Sequence, residues 1–194
     1  REVMETLIAL GKKAPNHRLP KLDPLLVKKG EELIFKGQVR KGIFKTKKIS
    51  SYFVCIDCHS TDFETRNTKI SSPEDRLEWG MKNDLPFLPA STFRGMYNRK
   101  SWYNGDYVKK YGDLITEAKT DLRKAIDVCA EYCSAGRSLE EWEVEAILQY
   151  LKSISLKIKD IPLNGNSKMD LENIDALTKK QRAKIAMVIE GAYT

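Results

Sequence analysis

Two segments of the chain repeat apolar residues at the spacing of an α-helix. In the first, apolar or small residues stand at positions 26, 27, 30, 33 and 34, directly after Asp23-Pro24. Proline is favoured in the first turn of a helix, so the pattern predicts a helix from Pro24 to Phe35. Gly30 lies in its middle, where glycine costs about 1 kcal/mol relative to alanine. We therefore expect a neighbouring segment to use the space that the missing side chain leaves.

The longest helical pattern runs from Ser138 to Ser153 and has a broad apolar face. That face is formed by Leu139, Trp142, Val144, Ala146, Ile147, Tyr150 and Leu151. Ser138 and Glu141 have the spacing of a capping box, so we expect the helix to begin after Ser138. Its glutamates cluster near this start, where the helix dipole stabilises negative charge.

Shorter patterns predict three further helices. Residues 114–133 have helical spacing, with leucine, isoleucine and cysteine on one side. Thr178 and Gln181 form a second capping-box pattern, which predicts a short amphipathic helix near the end of the chain. The dipeptide Ser72-Pro73 is typical of a helix start.

Together these patterns predict an all-α protein of one domain with extensions, which agrees with a length of 194 residues. We assign residues 1–23 to an N-terminal extension and residues 24–156 to the main domain. Residues 157–194 form a linker and a short C-terminal helix. His17 lies in the first extension between two prolines, where we expect an exposed loop histidine.

Positive charge is concentrated at the start of the chain. Residues 1–50 carry 13 Lys/Arg and 5 Asp/Glu, whereas the rest of the chain carries 21 and 22. The densest part is residues 36–48, the basic segment, which is either a solvated loop or a docking face for acidic protein, lipid or nucleic acid. No helix-turn-helix, RNA-binding or zinc-finger pattern accompanies it, so nucleic-acid binding is not expected. No run of 18 apolar residues predicts a transmembrane segment.

The four cysteines form two closely spaced pairs, Cys55/Cys58 and Cys129/Cys133, and His59 directly follows the first pair. The CxxCH motif of residues 55–59 is compatible with a redox dithiol, with half of a zinc site completed by the second pair, or with the attachment site of a c-type haem. No βαβ pattern surrounds the first pair, as a redox dithiol would favour, and 70 residues separate the two pairs. We therefore favour the haem interpretation over the other two.

With its flanking helices, the motif resembles the cytochrome c family. The resemblance rests on a first helix with Gly30 and Phe35, the CxxCH motif, and a last helix with Tyr150 near its end. It covers about residues 24–155 and implies an all-α domain wrapped around one covalent haem. In that family the first and last helices cross at the glycine. Residues 36–50 are then a basic insertion between the first helix and the motif.

The resemblance also implies the roles of the motif residues. Cys55 and Cys58 would bind the haem covalently, and His59 would be the proximal iron ligand. The distal ligand of the family is most often a methionine between the motif and the last helix. Met96, in a Pro/Gly-rich loop over residues 86–97, is therefore the candidate distal ligand. Met81 is expected in a short helix that covers the haem or fills the core.

The second cysteine pair leaves three alternatives open. Cys129 and Cys133 lie four residues apart on one helical face, so a disulfide is the first, and an oxidising compartment would favour it. Cys133 stands immediately before the last helix, so its thiolate is the alternative distal ligand, and such ligation would lower the reduction potential. In the third alternative both thiols are free.

An iron with six ligands has no open position for a substrate, so we expect electron transfer rather than catalysis. The expected protein is a periplasmic electron carrier, or the cytochrome subunit of a redox complex, with one haem c. A redox protein partner would dock through the basic segment, and a partner or a lipid anchor could hold the protein at a membrane. The alternative hypothesis is a zinc-stapled binding module that uses both cysteine pairs.

Overall fold

The computed structural model describes residues 1–62, 78, 80–84, 90–105, 107–163, 165 and 171–193. Within these residues the chain is mostly helical, in agreement with the predicted all-α class. The α-helices are α1 (Val3–Ala9), α2 (Pro24–Lys36), α3 (Tyr107–Tyr111), α4 (Leu122–Val128), α5 (Glu141–Ser153) and α6 (Lys179–Glu190). The helix start predicted at Ser72-Pro73 and the loop over residues 86–89 lie outside the described residues.

The remaining regular elements are short. The antiparallel hairpin of β1 (Arg40–Lys41) and β2 (Phe44–Lys45) lies inside the basic segment. Turns of 3-10 helix cover Cys55–Asp57, Met96–Asn98, Gly112–Ile115, Ile158–Asp160 and Ile174–Ala176, and a π-helical turn covers Cys129–Cys133. Among the described residues, no helix has both the length and the apolar character needed to span a bilayer.

Helix α2 begins where the sequence predicts and ends one residue later than predicted. The Asp23 carboxylate accepts hydrogen bonds from the N–H groups of Leu25 and Leu26 at 2.8 and 3.2 Å, which caps the helix start. Gly37 ends it with a left-handed φ of 65°, a conformation that glycine adopts without steric cost.

Helix α5 is confirmed, but its predicted capping box is wrong. The Ser138 hydroxyl donates to the Glu131 carboxylate at 2.7 Å and so does not cap the helix. Instead, the N–H of Glu140 donates to the Glu143 carboxylate at 2.9 Å. The helix therefore starts at Glu141.

The single helix predicted over residues 114–133 is also wrong. Asp121 interrupts it, because its carboxylate accepts from the N–H of Arg123 at 2.8 Å and starts α4 anew. The last turn then widens into the π-helical turn, in which the N–H of Ser134 donates to the Cys129 carbonyl at 3.0 Å. The two cysteines therefore stand at the ends of a π turn.

The two terminal segments form a second apolar core together. The N–H of Val3 donates to the Leu156 carbonyl, and the N–H of Ile158 donates to the Arg1 carbonyl, both at 3.0 Å. The capping box of Thr178 and Gln181 is confirmed and starts α6, which contributes to this core. Its buried members include Val3, Leu7, Leu10, Leu156, Ile161, Leu163, Ile174, Ile185 and Ile189.

The expectation of an exposed His17 is wrong, because its side chain is only 1% exposed. Its Nε2 lies 2.9 Å from the carbonyl oxygen of Tyr97. The rings of Tyr97 and Trp102 meet the imidazole edge-on, with centroids at 5.1 and 5.4 Å. Burial lowers the pKa of His17, so this histidine is a neutral part of the core.

The main core is built on the crossing of α2 and α5. A Cβ added to Gly30 would lie 1.9 Å from the Ala146 carbonyl oxygen and 2.9 Å from the Cβ of Tyr150. Near the end of α2, Phe35 and Tyr150 meet edge-on with ring centroids 6.2 Å apart. The expectation that a neighbour uses the space at Gly30 is therefore confirmed.

Arg137 ties the basic segment to α5. Its guanidinium donates to both carboxylate oxygens of Glu143 at 2.7 Å, and Glu143 is fully buried. It also donates to the backbone carbonyls of Lys47, Lys48 and Ser138. These five hydrogen bonds use all five N–H donors of the side chain.

Replacing Gly30 with alanine is expected to destabilise the protein. Alanine favours a helix by about 1 kcal/mol over glycine, but the added Cβ would force the two helix backbones apart. We expect the free energy of unfolding to fall by about 1–3 kcal/mol in urea titrations. Lys28→Ala, on an exposed position of the same helix, is the control and should change it by less than about 0.5 kcal/mol. A stabilised Gly30→Ala protein would contradict the close crossing.

Replacing Arg137 with lysine is expected to cost about 2 kcal/mol of unfolding free energy, because an ammonium cannot make the paired contacts to the buried Glu143. Arg18→Lys is the matched control. Arg18 also donates from two nitrogens to one carboxylate, Glu5, at 3.1 and 2.8 Å, but both side chains are 37% exposed. That change should leave the free energy of unfolding almost unchanged. Equal losses in the two variants would show that burial of Glu143 is unimportant.

Candidate functional site

Cys55, Cys58 and His59 lie on a single helical turn that follows the basic insertion. The N–H of His59 donates to the Cys55 carbonyl at 3.0 Å, and the N–H of Asp57 donates to the Val54 carbonyl at the same distance. The Asp57 carboxylate closes the turn by accepting from the N–H of Val54 at 2.7 Å. The turn thus presents two thiols and an imidazole from five consecutive residues.

The imidazole of His59 is held in one orientation. Its Nδ1 lies 2.6 Å from the carbonyl oxygen of Ser91, which can only accept, so we assign the proton of the neutral ring to Nδ1. The ring of Phe93 stacks on the imidazole with centroids 4.2 Å apart and planes 16° apart. Burial lowers the pKa of His59 to about 4, so the ring is neutral at pH 7. Nε2 then carries an unshared lone pair that can bind a metal.

The residues around His59 come from a distant part of the sequence. The N–H of Ala90 donates to the Cys58 carbonyl at 2.7 Å, and the N–H of Phe93 donates to the Ser60 carbonyl at 2.8 Å. Arg99 donates to the hydroxyl of Ser91 at 2.9 Å. Sequence reasoning missed the role of Ser91, because the group that orients His59 is a backbone carbonyl and has no side-chain signature.

Met96 belongs to this same segment. It is 8% exposed, lies in the main apolar core, and follows Phe93 by three residues. Leu156, after the end of α5, fixes the segment from the other side: a Cβ on Gly95 would lie 2.8 Å from its Cγ. Met81, the other methionine between the motif and the last helix, is 70% exposed. The expectation that it fills the core is therefore wrong.

The thiols of Cys129 and Cys133 are free in the structure and share a hydrogen bond. The bond from Cys129 lowers the pKa of Cys133 to about 6, whereas the pKa of Cys129 itself is raised well above its usual value. The hydroxyl of Tyr111 lies 3.7 Å from the Cys133 sulfur. Of the two thiols, Cys133 is therefore the one that ionises more readily. The predicted disulfide stays a prediction.

Two tyrosines, Tyr103 and Tyr111, interact with Cys133, and a third, Tyr107, packs on both of them. Tyr103 meets Tyr107 and Tyr111 edge-on at 5.6 and 6.4 Å, and Tyr107 stacks on Tyr111 at 6.2 Å. Hydrogen bonds from Tyr111 and Tyr103 contribute to the lowered pKa of Cys133. The four-residue spacing of these tyrosines is a sequence signal for a common face, but sequence alone did not link it to the cysteine.

The two cysteine pairs lie close enough to influence each other's ionisation. Burial raises the pKa of Cys55 to about 12, and burial also raises that of Cys58, with a smaller contribution from the charge of Cys133. The pKa of Cys129 has a smaller contribution from the charge of Cys55. However, no set of three or more His, Cys, Asp or Glu side chains within the described part of the chain is grouped closely enough to hold a metal ion.

Comparison with known proteins gives no family assignment. No protein-family model matches the chain, and no curated protein or solved structure is significantly similar to it.

Proposed function

We propose that the chain binds one haem c covalently through Cys55 and Cys58 and functions in electron transfer. The observation that carries the proposal is the environment of His59. Its Nδ1 is bonded to a carbonyl, which leaves the lone pair of Nε2 unprotonated, and two thiols stand on the same turn. Once bound, the haem would supply an iron that alternates between the ferric and ferrous states.

The residues of the site fit this cofactor. A metal-binding histidine typically donates its other ring N–H to a carbonyl or carboxylate, which fixes the ring and increases its basicity. Ser91 is such a partner for His59.

Of the two distal candidates, the contacts favour Cys133 over Met96. The backbone that carries Met96 is bonded to the motif on the side of His59, and the residue is packed into the apolar core. Cys133 is exposed, and its sulfur is stabilised as an anion by its neighbours. We therefore propose a distal thiolate, with Met96 as the competing ligand.

The proposal extends to partner and location. Covalent haem attachment to CxxCH motifs takes place outside the cytoplasm, so a periplasmic carrier or cytochrome subunit is proposed. A redox protein partner would approach at Tyr52 and Phe53, which are 75% and 45% exposed and are separated from the motif only by Val54. The zinc-stapled module is the alternative that a metal analysis would reveal.

Expression of the chain with c-type haem maturation enzymes should give a coloured protein. We expect sharp α and β absorption bands after reduction, and colour that stays with the protein after acid–acetone extraction. The double variant Cys55→Ser/Cys58→Ser should lose the covalent haem. Cys129→Ser, which removes another buried thiol, is the control and should keep it. A colourless wild-type protein that contains zinc would overturn the proposal in favour of the zinc module.

The distal ligand can be tested in the same coloured protein. With a thiolate ligand, Cys133→Ala should change the oxidised spectrum from low-spin to high-spin and raise the reduction potential, because an anionic ligand stabilises ferric iron. Met96→Leu should leave both unchanged. If Met96→Leu instead removes a sulfur-to-iron band at the near-infrared edge and Cys133→Ala does nothing, the ligand is the methionine.

A further inference from the structure

The tip of the basic segment exposes two large apolar side chains. Ile43 is 86% exposed and Phe44 is 72% exposed, and they are adjacent at the end of the β1–β2 hairpin. The segment over residues 36–48 contains six Lys/Arg and no Asp/Glu. Exposure of two large apolar side chains to water is unfavourable, so a solvated basic loop does not account for this apolar tip.

The hairpin separates its apolar tip from a basic face. Gly42, with a left-handed φ of 63°, makes the tight two-residue turn that places Ile43 at the tip. Directly opposed residues of an antiparallel pair point to the same side, so Arg40 and Lys45 share one face of the hairpin. Phe44 points to the other side, because side chains alternate along a strand.

A cavity of about 270 Å³ opens on the basic face. It is lined by Glu32, Lys36, Gln38, Arg40 and Lys45. The carboxylate of Glu32 is already engaged, since it accepts from the backbone N–H of Arg40 at 3.0 Å and pairs with Lys36 at 3.6 Å. Three cationic side chains therefore line a space large enough for a small anionic group.

The base of the hairpin is held rigidly. The N–H of Val39 donates to the hydroxyl of Thr46, and the N–H of Thr46 donates to the Val39 carbonyl, both at 2.9 Å. Arg137 binds the carbonyls of Lys47 and Lys48 at 3.0 and 3.2 Å. The side chains of these two lysines are exposed, and among the described residues neither forms an ion pair. The segment is thus a fixed projection with outward-facing charge.

We propose that this hairpin docks the protein on an anionic phospholipid surface. The tip residues Ile43 and Phe44 would enter the boundary between headgroups and acyl chains, and Lys47 and Lys48 would contact anionic headgroups. The basic cavity would accept a headgroup phosphate. The inference does not depend on haem binding.

A lipid surface suits this projection better than the acidic protein partner that the sequence suggests. A stable protein interface needs an extended complementary area, and two side chains on a narrow hairpin do not provide it. A bilayer interface, by contrast, accepts a small apolar tip at any position and adds the attraction of its negative surface potential.

Sedimentation of the purified full chain with vesicles tests the proposal. We expect binding to vesicles of phosphatidylcholine with phosphatidylglycerol, little binding to phosphatidylcholine alone, and loss of binding at high salt. Ile43→Ser/Phe44→Ser should weaken binding by more than about tenfold, because burial of one such side chain already contributes about that factor. Lys47→Gln/Lys48→Gln should weaken vesicle binding about 30-fold, because each of the two lysines near the membrane surface strengthens binding by a similar factor.

Matched controls separate docking from general charge attraction. Lys179→Gln/Lys180→Gln removes two exposed lysines from the start of α6, and Met187→Ser removes a 68% exposed apolar side chain from the same helix. Neither change should affect vesicle binding. Equal loss in control and hairpin variants, or no binding to anionic vesicles, would overturn the proposal. A loss with the lysine variant but not with the tip variant would also overturn it, because Ile43 and Phe44 would then not enter the bilayer.

Discussion

The close crossing of α2 and α5 at Gly30 is the constraint on which the rest of the fold depends. The absence of a side chain lets the helix backbones approach until a Cβ would lie 1.9 Å from the Ala146 carbonyl oxygen. Because protein interiors are close-packed, this separation also determines where α2 ends relative to the core. At that end, the Gly37 carbonyl accepts from the N–H of Ile49 at 2.8 Å. The helix crossing therefore positions the chain that leads into the turn of residues 55–59.

The Arg137–Glu143 pair is the second constraint, and it acts through the cost of burying charge. A carboxylate without water is strongly unfavourable unless charged donors replace its hydration, and Glu143 receives two such hydrogen bonds. The remaining donors of Arg137 bind carbonyls that would otherwise need other partners. Next to it, Gly136 lies so close to the insertion that a Cβ would be 2.5 Å from the Ile49 carbonyl oxygen. The Arg137–Glu143 pair thus joins α5 to the basic insertion.

The sequence predicts those features whose signals are local. The start of α2 follows from Asp23 and Pro24, and the turn of residues 55–59 follows from a contiguous motif. The break at Asp121 was not predicted, because the helical spacing of apolar residues continues across it. The helix is interrupted because the Asp121 carboxylate accepts a hydrogen bond from a backbone N–H group, which the spacing does not reveal. The burial of His17 was missed because its neighbours lie about 80 residues away. The orientation of His59 could not be predicted for the same reason, because the backbone carbonyl of Ser91, 32 residues away, determines it.

The two cysteine pairs differ in their electrostatic surroundings, and this difference bears on the choice between haem and zinc. A structural zinc site holds its cysteines as thiolates, so zinc binding would have to displace the protons of Cys55 and Cys129, whose pKa values are raised in the metal-free protein. The proposed thioether formation, by contrast, would replace the Cys55 thiol with a neutral group and leave no charge to desolvate. The first pair is therefore compatible with the proposed covalent attachment, and the lowered pKa of Cys133 is compatible with the proposed distal ligand.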